Sequence, residues 1–378
     1  MNRIKIIHAA DFHFDSPFKE LSSSYGEKRN EDIKKSFKKI IDLANEECVQ
    51  ILLLCGDIFD NSSIKKSTLE FLKSEIETLK DTKVFIAAGN HDPLSEKSFY
   101  KVFNWPKNVF IFSNELEYVV LEEIKTVVYG YSFSSNYENT SLLKNFNIPS
   151  IYKEYINIMA LHGEVTTSTG NEYNPITIQE IGKSNLNYLA LGHRHGFSGI
   201  RKEDDTFYAY SGCPEGRGFD ETGEKGIVVG EVYKDGVNLK FLPLCERTYN
   251  SIEVDISNCT NQEQVINSIL LSLKDEDTNR NFYKVILSGY INGEMPIKVK
   301  TLEYRLKDKF YYIKIKDETR VNLDIDIIKK ENSLRGIYYR KVAERLLDAT
   351  EEEKTYLEEA LKIGLEALME EEVKGNDY

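Results

Sequence analysis

The stretch QILLLCGDIFD, residues 50–60, decides how the rest of the chain is read. Its run Ile51-Leu52-Leu53-Leu54-Cys55 is apolar without alternation and stops at Gly56, the pattern of a strand covered on both faces. Two acids follow at once, Asp57 and Asp60. Upstream, residues 3–9 read as another strand and run into Asp11-Phe12-His13. Between the two strands, residues 31–48 place Ile33, Phe37, Ile40, Ile41 and Ala44 at helical spacing, giving one buried stripe. Downstream, residues 64–80 return to a helical period through Leu69, Leu72, Ile76 and Leu79, and the strand at 83–88 is stopped by Gly89. A strand–helix–strand–helix–strand order implies parallel strands joined by right-handed crossovers.

Beyond residue 105 the pattern changes. Short strands are expected at 108–112, 118–122, 126–131, 156–161, 188–191, 207–210, 227–233 and 239–242, with few long helices between them. The fold class expected is α/β, a two-layered β core flanked by helices. Periodicity leaves open whether that core is a sandwich or one large mixed sheet. A second unit begins near Thr248, with a strand at 251–256 and a capping box, Thr260-Asn-Gln-Glu263, ahead of a helix carrying Val265, Ile266, Ile269 and Leu273. Further strands at 283–290 and 310–315 complete a small α/β domain. From Glu331 two helices are expected, the second opened by the capping box Thr350-Glu-Glu-Glu353 and carrying Leu357, Ala360, Leu361, Gly364, Leu365 and Leu368 on one face. The division expected is therefore 1–245, 246–330 and 331–378.

Composition narrows the function. The 378 residues hold 62 Asp and Glu against 49 Lys and Arg, a formal charge of −13. With 41% hydrophobic and 29% charged residues, wholesale disorder is excluded. The longest apolar runs fall far short of the ~20 residues of a membrane span, so no membrane partner is expected. Asp11 interrupts the N-terminus before a secretory apolar region is complete. Five cysteines without a CxxC spacing argue against a disulfide scaffold and a thiolate zinc site, and fit a reducing cytoplasm. The acidic balance also argues against a passive, charge-driven nucleic-acid binder.

The six histidines carry the chemistry. His13 follows the first strand, His91 sits in Gly89-Asn90-His91-Asp92, and His162 follows the run at 156–161. His193 and His195 frame Arg194 after the run at 188–191, and only His8 lies inside a strand. A lone histidine is more often a structural residue than a ligand, and a lone Gly-Asp or Asn-His is more often a turn. Five strand ends closing on Asp, Asn or His is a different matter, because α/β architectures build their sites there. With cysteine absent from the set, the ligands offered are imidazole and oxygen, which suit Mn²⁺, Fe or Zn²⁺.

In order, Asp-x-His, Gly-Asp-x-x-Asp, Gly-Asn-His-Asp, His-Gly and Gly-His-x-His resemble the calcineurin-like metallophosphoesterase superfamily. Within it, HAADFHFDSPF at 8–18 and YSGCPEGRGFDETGEKG at 210–226 are similar to bacterial DNA repair exonucleases of the SbcD/YhaO type. The resemblance covers residues 1 to about 245, and the small α/β unit is similar only in outline to a capping domain. It implies two divalent metal ions, most simply Mn²⁺: one on Asp11, His13 and His195, the other on Asn90, His162 and His193, with Asp57 bridging. Such a pair clamps a phosphate oxygen and activates a water for in-line attack. The resemblance also implies that His91 serves the leaving oxygen and that Asp60 hydrogen-bonds and orients His91, with a plain turn-capping role as the alternative for Asp60. Asp92 and His8 read as structural and Cys213 as a packed small residue. Arg194 and Arg217 are either contacts to substrate phosphate or ordinary surface residues.

The activity implied is a Mn²⁺-dependent 3′–5′ DNA exonuclease, the nuclease subunit of a repair complex. Glu224 stands where a Walker A motif needs lysine, so an SbcC-like coiled-coil ATPase is the implied partner beside DNA, and the C-terminal helices are either its docking segment or simply packed on the small domain. A second copy of the chain is a further candidate partner. The alternatives are a phosphodiesterase of small nucleotides or other diesters and, more weakly, an inactive scaffold. A phosphoprotein phosphatase is disfavoured, since Asn61-Ser62 stands where that branch has Arg-Gly.

Overall fold

The computed structural model describes residues 3–60, 64–96, 98–167, 172–291, 297–321 and 328–368. Asn61 and Ser62, parts of the small α/β unit and the end of the C-terminal segment lie outside the described residues. The chain divides into two compact units, Met1–Tyr249 and Asn250–Tyr378.

The first unit opens with β1 (Arg3–Ala9), α1 (Ser23–Glu46), β2 (Ile51–Cys55), α2 (Lys66–Glu77) and β3 (Lys83–Ala87). After the single turn α3 (Phe99–Val102) come β4 (Val109–Ile111), β5 (Glu117–Leu121), β6 (Thr126–Gly130) and β7 (Ile156–His162). A small pair, β8 (Glu164–Val165) and β9 (Pro175–Ile176), precedes α4 (Ile178–Ser184) and β10 (Tyr188–Gly192). The unit closes with β11 (Arg201–Glu203), β12 (Thr206–Tyr210), β13 (Gly226–Tyr233) and β14 (Gly236–Pro243).

These strands form two six-stranded sheets, ordered β14-β13-β1-β2-β3-β4 and β11-β12-β10-β7-β6-β5. In the first, β1 to β4 are parallel and β13 and β14 are antiparallel additions. In the second, β12, β10, β7 and β6 are parallel and the two edges antiparallel. The sheets stack face to face, so the core is a sandwich, the point that periodicity left open. Alternation explains it: Ile51, Leu53 and Cys55 point between the sheets with Ile4, Ile6, Ile158, Ala160 and Ala190, whereas Leu52 and Leu54 pack under the helices with Phe37, Ile40 and Ile41. All five residues of β2 are buried, as its unbroken apolar run requires. His8, on the face between the sheets, reaches Tyr188 Oη at 2.9 Å and the Leu191 carbonyl at 3.2 Å. Burial drives its imidazole down to about 3, so it stays neutral.

Helix α1 begins at Ser23, nearly three turns before the apolar stripe starts at Ile33. The reason is that its early inward face is polar: Arg29, Asp32 and Ser36 are buried there beside Ile33 and Phe37. A hydrophobic period cannot register a buried guanidinium.

In the second unit, β15 (Tyr249–Asp255), β16 (Phe282–Ser288) and β18 (Tyr312–Asp317) make one sheet, and β17 (Tyr290–Ile291) pairs with β19 (Arg320–Val321). Helices α5 (Gln262–Ser272) and α6 (Val299–Leu306) supply Val265, Ile269 and Leu302 to its core. The cap of α5 is Asn261, not Thr260: its side chain accepts from Gln264 N at 3.0 Å, one residue later than the motif suggested. Helices α7 (Leu334–Leu347) and α8 (Glu351–Ala367) follow, and the expected box at Thr350 and Glu353 is present in both directions. Among the described residues no helix is long and apolar enough to cross a membrane.

Candidate metal centre

The parallel strands of both sheets end at the same rim, and every expected site residue lies past one of those ends except His162, the last residue of β7. Two glycines let the sheets meet there. A Cβ on Gly192, at the end of β10, would stand 1.7 Å from the Cys55 carbonyl of β2, and one on Gly56 would stand 2.3 Å from His162 Nδ1. Gly56 also has φ +86°, open to glycine at no steric penalty.

The loops after β1 and β2 are joined backbone to backbone, Asp11 N to Gly56 O and His13 N to Asp57 O, each at 3.0 Å. Asp92 ties in the loop after β3. Its carboxylate accepts from Gly89 N (2.7 Å), Asp57 N (3.2 Å), Ile58 N (2.7 Å), Phe59 N (3.1 Å) and Tyr100 O–H (2.7 Å). It is therefore the structural hub of two site loops. Four site residues pay a backbone penalty for their positions: Asp11, His13, Asp57 and His193 have φ of 56°, 49°, 50° and 108°. Strain of this kind persists only where surrounding bonds over-determine it.

Three groups of ligand-type atoms fall within 4.8 Å of one another: Asp11, His13 and His195; Asp11, Asp57 and His162; His13, Asp60 and His91. Asp57 Oδ2 lies 3.8 Å from His13 Nε2 and 3.5 Å from His162 Nε2, between the first two groups. His91 N donates to Asp57 Oδ1 at 2.9 Å. Asn90 Oδ1 is 2.9 Å from His162 Nε2, while His162 Nδ1 faces the Cys55 carbonyl at 3.0 Å. His193 stands apart. Its ring meets that of His162 edge-on at 5.2 Å, but its Nε2 faces Glu164 at 3.6 Å and joins none of the three close groups.

The donor chemistry fits divalent cations. A carbonyl can only accept, so His162 Nδ1 carries a proton toward Cys55, and its Nε2 is the nitrogen turned to the Asn90 oxygen and the carboxylates. Likewise His13 Nε2 and His195 Nε2 face each other at 3.3 Å. Lone pairs converging with carboxylates make a cation cradle of nitrogen and oxygen donors. Burial pushes Asp11 up to about 6 despite the opposing pull of His195 and His162. Burial would also raise Asp57, but His162, His13 and His91 hold it below the usual carboxylate range. Burial drives His13 and His193 down to about 4, leaving them neutral, as ligands must be.

Around this set, one expected contact takes another form. His91 Nδ1 meets the Asp60 backbone carbonyl at 3.0 Å, whereas the Asp60 carboxylate lies 3.3 Å from His13 Nδ1 and 3.2 Å from Arg217. Arg194 is paired with Glu164, and Arg217 with Asp60 and Glu221, so both arginines already hold carboxylates. Cys213 is buried, which pushes its thiol well above the ordinary range and suits packing. The sequence reading missed Glu164 and Glu221. The segment 210–226 carries several acids, and nothing in a single sequence marks which one turns inward.

Comparison with known proteins agrees with this geometry. Residues 4–237 match the calcineurin-like phosphoesterase family. The chain is 30% identical over 270 residues to "Uncharacterized metallophosphoesterase YhaO" of Bacillus subtilis (strain 168), covering 68% of this chain and 64% of that protein. It is 24% identical over 344 residues to "DNA double-strand break repair protein Mre11" of Saccharolobus solfataricus, covering 85% and 84% of the two chains. A protein of the same name from Sulfolobus acidocaldarius is 25% identical over 326 residues, 80% and 79% of the respective lengths. Since the family match takes in more than half of the sequence and all the strand ends that bear the candidate ligands, the chain belongs to the calcineurin-like phosphoesterases, hydrolases that use divalent metals.

Proposed function

We propose that this chain is a Mn²⁺-dependent DNA exonuclease working from 3′ ends, the nuclease subunit of a cytoplasmic repair complex with an SbcC-like ATPase. The observation that carries the reading is the convergence of Asp11, His13, Asp57, Asn90, His91, His162 and His195 from both sheets, with His193 alongside, in a chain similar to two proteins named for double-strand break repair. Residues 1–245 would be the nuclease domain, 246–330 a capping-like domain and 331–378 the partner-binding segment. On α7 and α8, Leu334, Ile337, Leu347, Tyr356 and Ile363 are exposed, an apolar surface suited to a partner helix. Deleting 331–378 should abolish co-purification with the ATPase.

One cation would rest on Asp11, His13 and His195, the other on Asn90, His162 and His193, with Asp57 shared. When bound, they supply neutralisation of the phosphoryl oxygens and activation of the attacking water. Asp57, low in pKa, keeps its negative charge to damp the repulsion between them. His91, whose Nδ1 meets the Asp60 carbonyl, would serve the leaving oxygen through Nε2. Its exposed ring is free to reach substrate.

Oligonucleotides labelled at either end, incubated with Mn²⁺, test the reading: loss of nucleotides from the 3′ end, stopped by EDTA, is expected. The charge of −13 favours the competing reading, a phosphodiesterase of small diesters, because a polyanion is repelled. Intact DNA beside hydrolysed mononucleotide diesters would establish that one instead.

A further inference from the structure

We propose that Glu221 is a positioning residue of the metal centre: it fixes the tautomer and ring plane of His195, and Arg217 with the buried Arg29–Glu215 pair holds it there. This rests on reading Asp11, His13 and His195 as metal ligands.

Glu221 is 8% exposed, on the loop between β12 and β13. Its Oε1 lies 2.6 Å from His195 Nδ1. Arg217 Nη2 is also 3.2 Å from that nitrogen. An arginine N–H wants a lone pair on Nδ1 and a carboxylate wants a proton there. The shorter contact, to a charged acceptor, decides for the proton on Nδ1. The lone pair is then on Nε2, the atom that faces His13 Nε2 at 3.3 Å. A carboxylate behind a histidine sets which nitrogen ligates, fixes the ring and raises its basicity.

The same guanidinium serves a second histidine. Arg217 Nη1 donates to Asp60 Oδ1 at 3.2 Å, and that oxygen lies 3.3 Å from His13 Nδ1. One arginine thus ties together two carboxylates, each placed behind a different histidine of one set. Arg217 N also donates to Glu221 Oε2 at 2.8 Å. The loop is fastened at the neighbouring residues, where Arg29 Nη2 donates to Glu215 Oε2 (2.8 Å) and to the Gly216 carbonyl (2.7 Å). Arg29 Nη1 binds Asp32 at 2.8 Å, and Ser36 O–H donates to Glu215 at 2.6 Å. Arg29 is wholly buried and Glu215 is 2% exposed. Ion pairs this deep add little net stability, so their use is to select one loop conformation.

The test is Mn²⁺ titration calorimetry on the full chain and on the variants Glu221→Gln and Glu221→Ala, with thermal melts of the metal-free proteins. Two Mn²⁺ per wild-type chain are expected. Glu221→Ala should weaken one of the two by roughly 10–100-fold, and Glu221→Gln, whose amide oxygen still accepts from Nδ1–H, should retain most of the affinity. Equal affinities in all three proteins overturn the proposal, as does a lowered Tm that leaves both sites alike. A wild type that takes up no Mn²⁺ overturns the reading of the centre and this proposal with it. Independently of any variant, the ¹⁵N shifts of His195 in the metal-free wild type should report a protonated Nδ1; an unprotonated Nδ1 refutes the assignment.

Discussion

In the unit Met1–Tyr249, Arg29, Asp32, Asp57, Asp92 and Glu215 are each no more than 2% exposed. In Asn250–Tyr378 no described charged side chain is buried, the core from Val254 to Ile315 is built on aliphatic and aromatic side chains, and an ion pair such as Arg305–Glu263 stands in solvent. Both units solve the same folding problem, yet only one accepts the desolvation of charge. Buried charge costs several kcal/mol per ion before pairing repays it. The first unit bears that cost beside the loops that carry the candidate metal ligands. The second, whose interior is ordinary packing, has no such cost.

The comparison is open to attack in order of expected effect. His91→Ala should lower turnover by roughly 10²–10⁴-fold while calorimetry still counts the wild-type number of Mn²⁺; lost metal would move His91 from proton transfer to ligation. Asp92→Ala strands five donors in the first unit and should cost about 3 kcal/mol or more, with weaker Mn²⁺ binding. Leu302→Ala in the second unit should cost about 2–5 kcal/mol and leave Mn²⁺ affinity untouched. If Leu302→Ala disturbs the metal as much as Asp92→Ala does, the contrast between the units collapses.

His8 gives the pH arm. Its folded pKa of about 3 lies below the unfolded 6.5, so the unfolded chain binds the extra proton between those values. Stability from this group is complete above 6.5 and is lost as pH falls, by about 2 kcal/mol at pH 5. Denaturant titrations of metal-free protein at pH 7 and 5 should show that difference shrink in His8→Gln. His13 and His193 act in the same direction and Asp11 in the opposite one, so the wild-type-minus-variant difference is the quantity to read. Smallest of all, Arg305→Ala should leave Tm unchanged, because an exposed pair is screened by water and salt.

Most of the first unit was legible because its signals are local. Residues 51–55 announce a doubly covered strand by the absence of alternation, and Asp11, Asp57, Asn90, His162 and His193 each announce a strand end by breaking an apolar run. Stacking of the two sheets was not legible, since β2 reads alike in either arrangement. The first turns of α1 were hidden because Arg29 turns inward to an acid 186 residues away. Glu221 was hidden for the same reason: its meaning lies in His195, on another loop. Long-range polar pairing leaves no period in a single sequence.

The left-handed backbone at Asp11, His13, Asp57 and His193 has an evolutionary consequence. Conformational energy by itself favours glycine at such positions, whereas holding a cation requires a side chain that glycine lacks. Backbone relaxation and the proposed metal binding therefore pull in opposite directions at the same four positions. Under the proposed function, substitution by glycine there would relax the backbone and remove a candidate ligand in the same step, so these are the four side chains that a functioning descendant would have to keep.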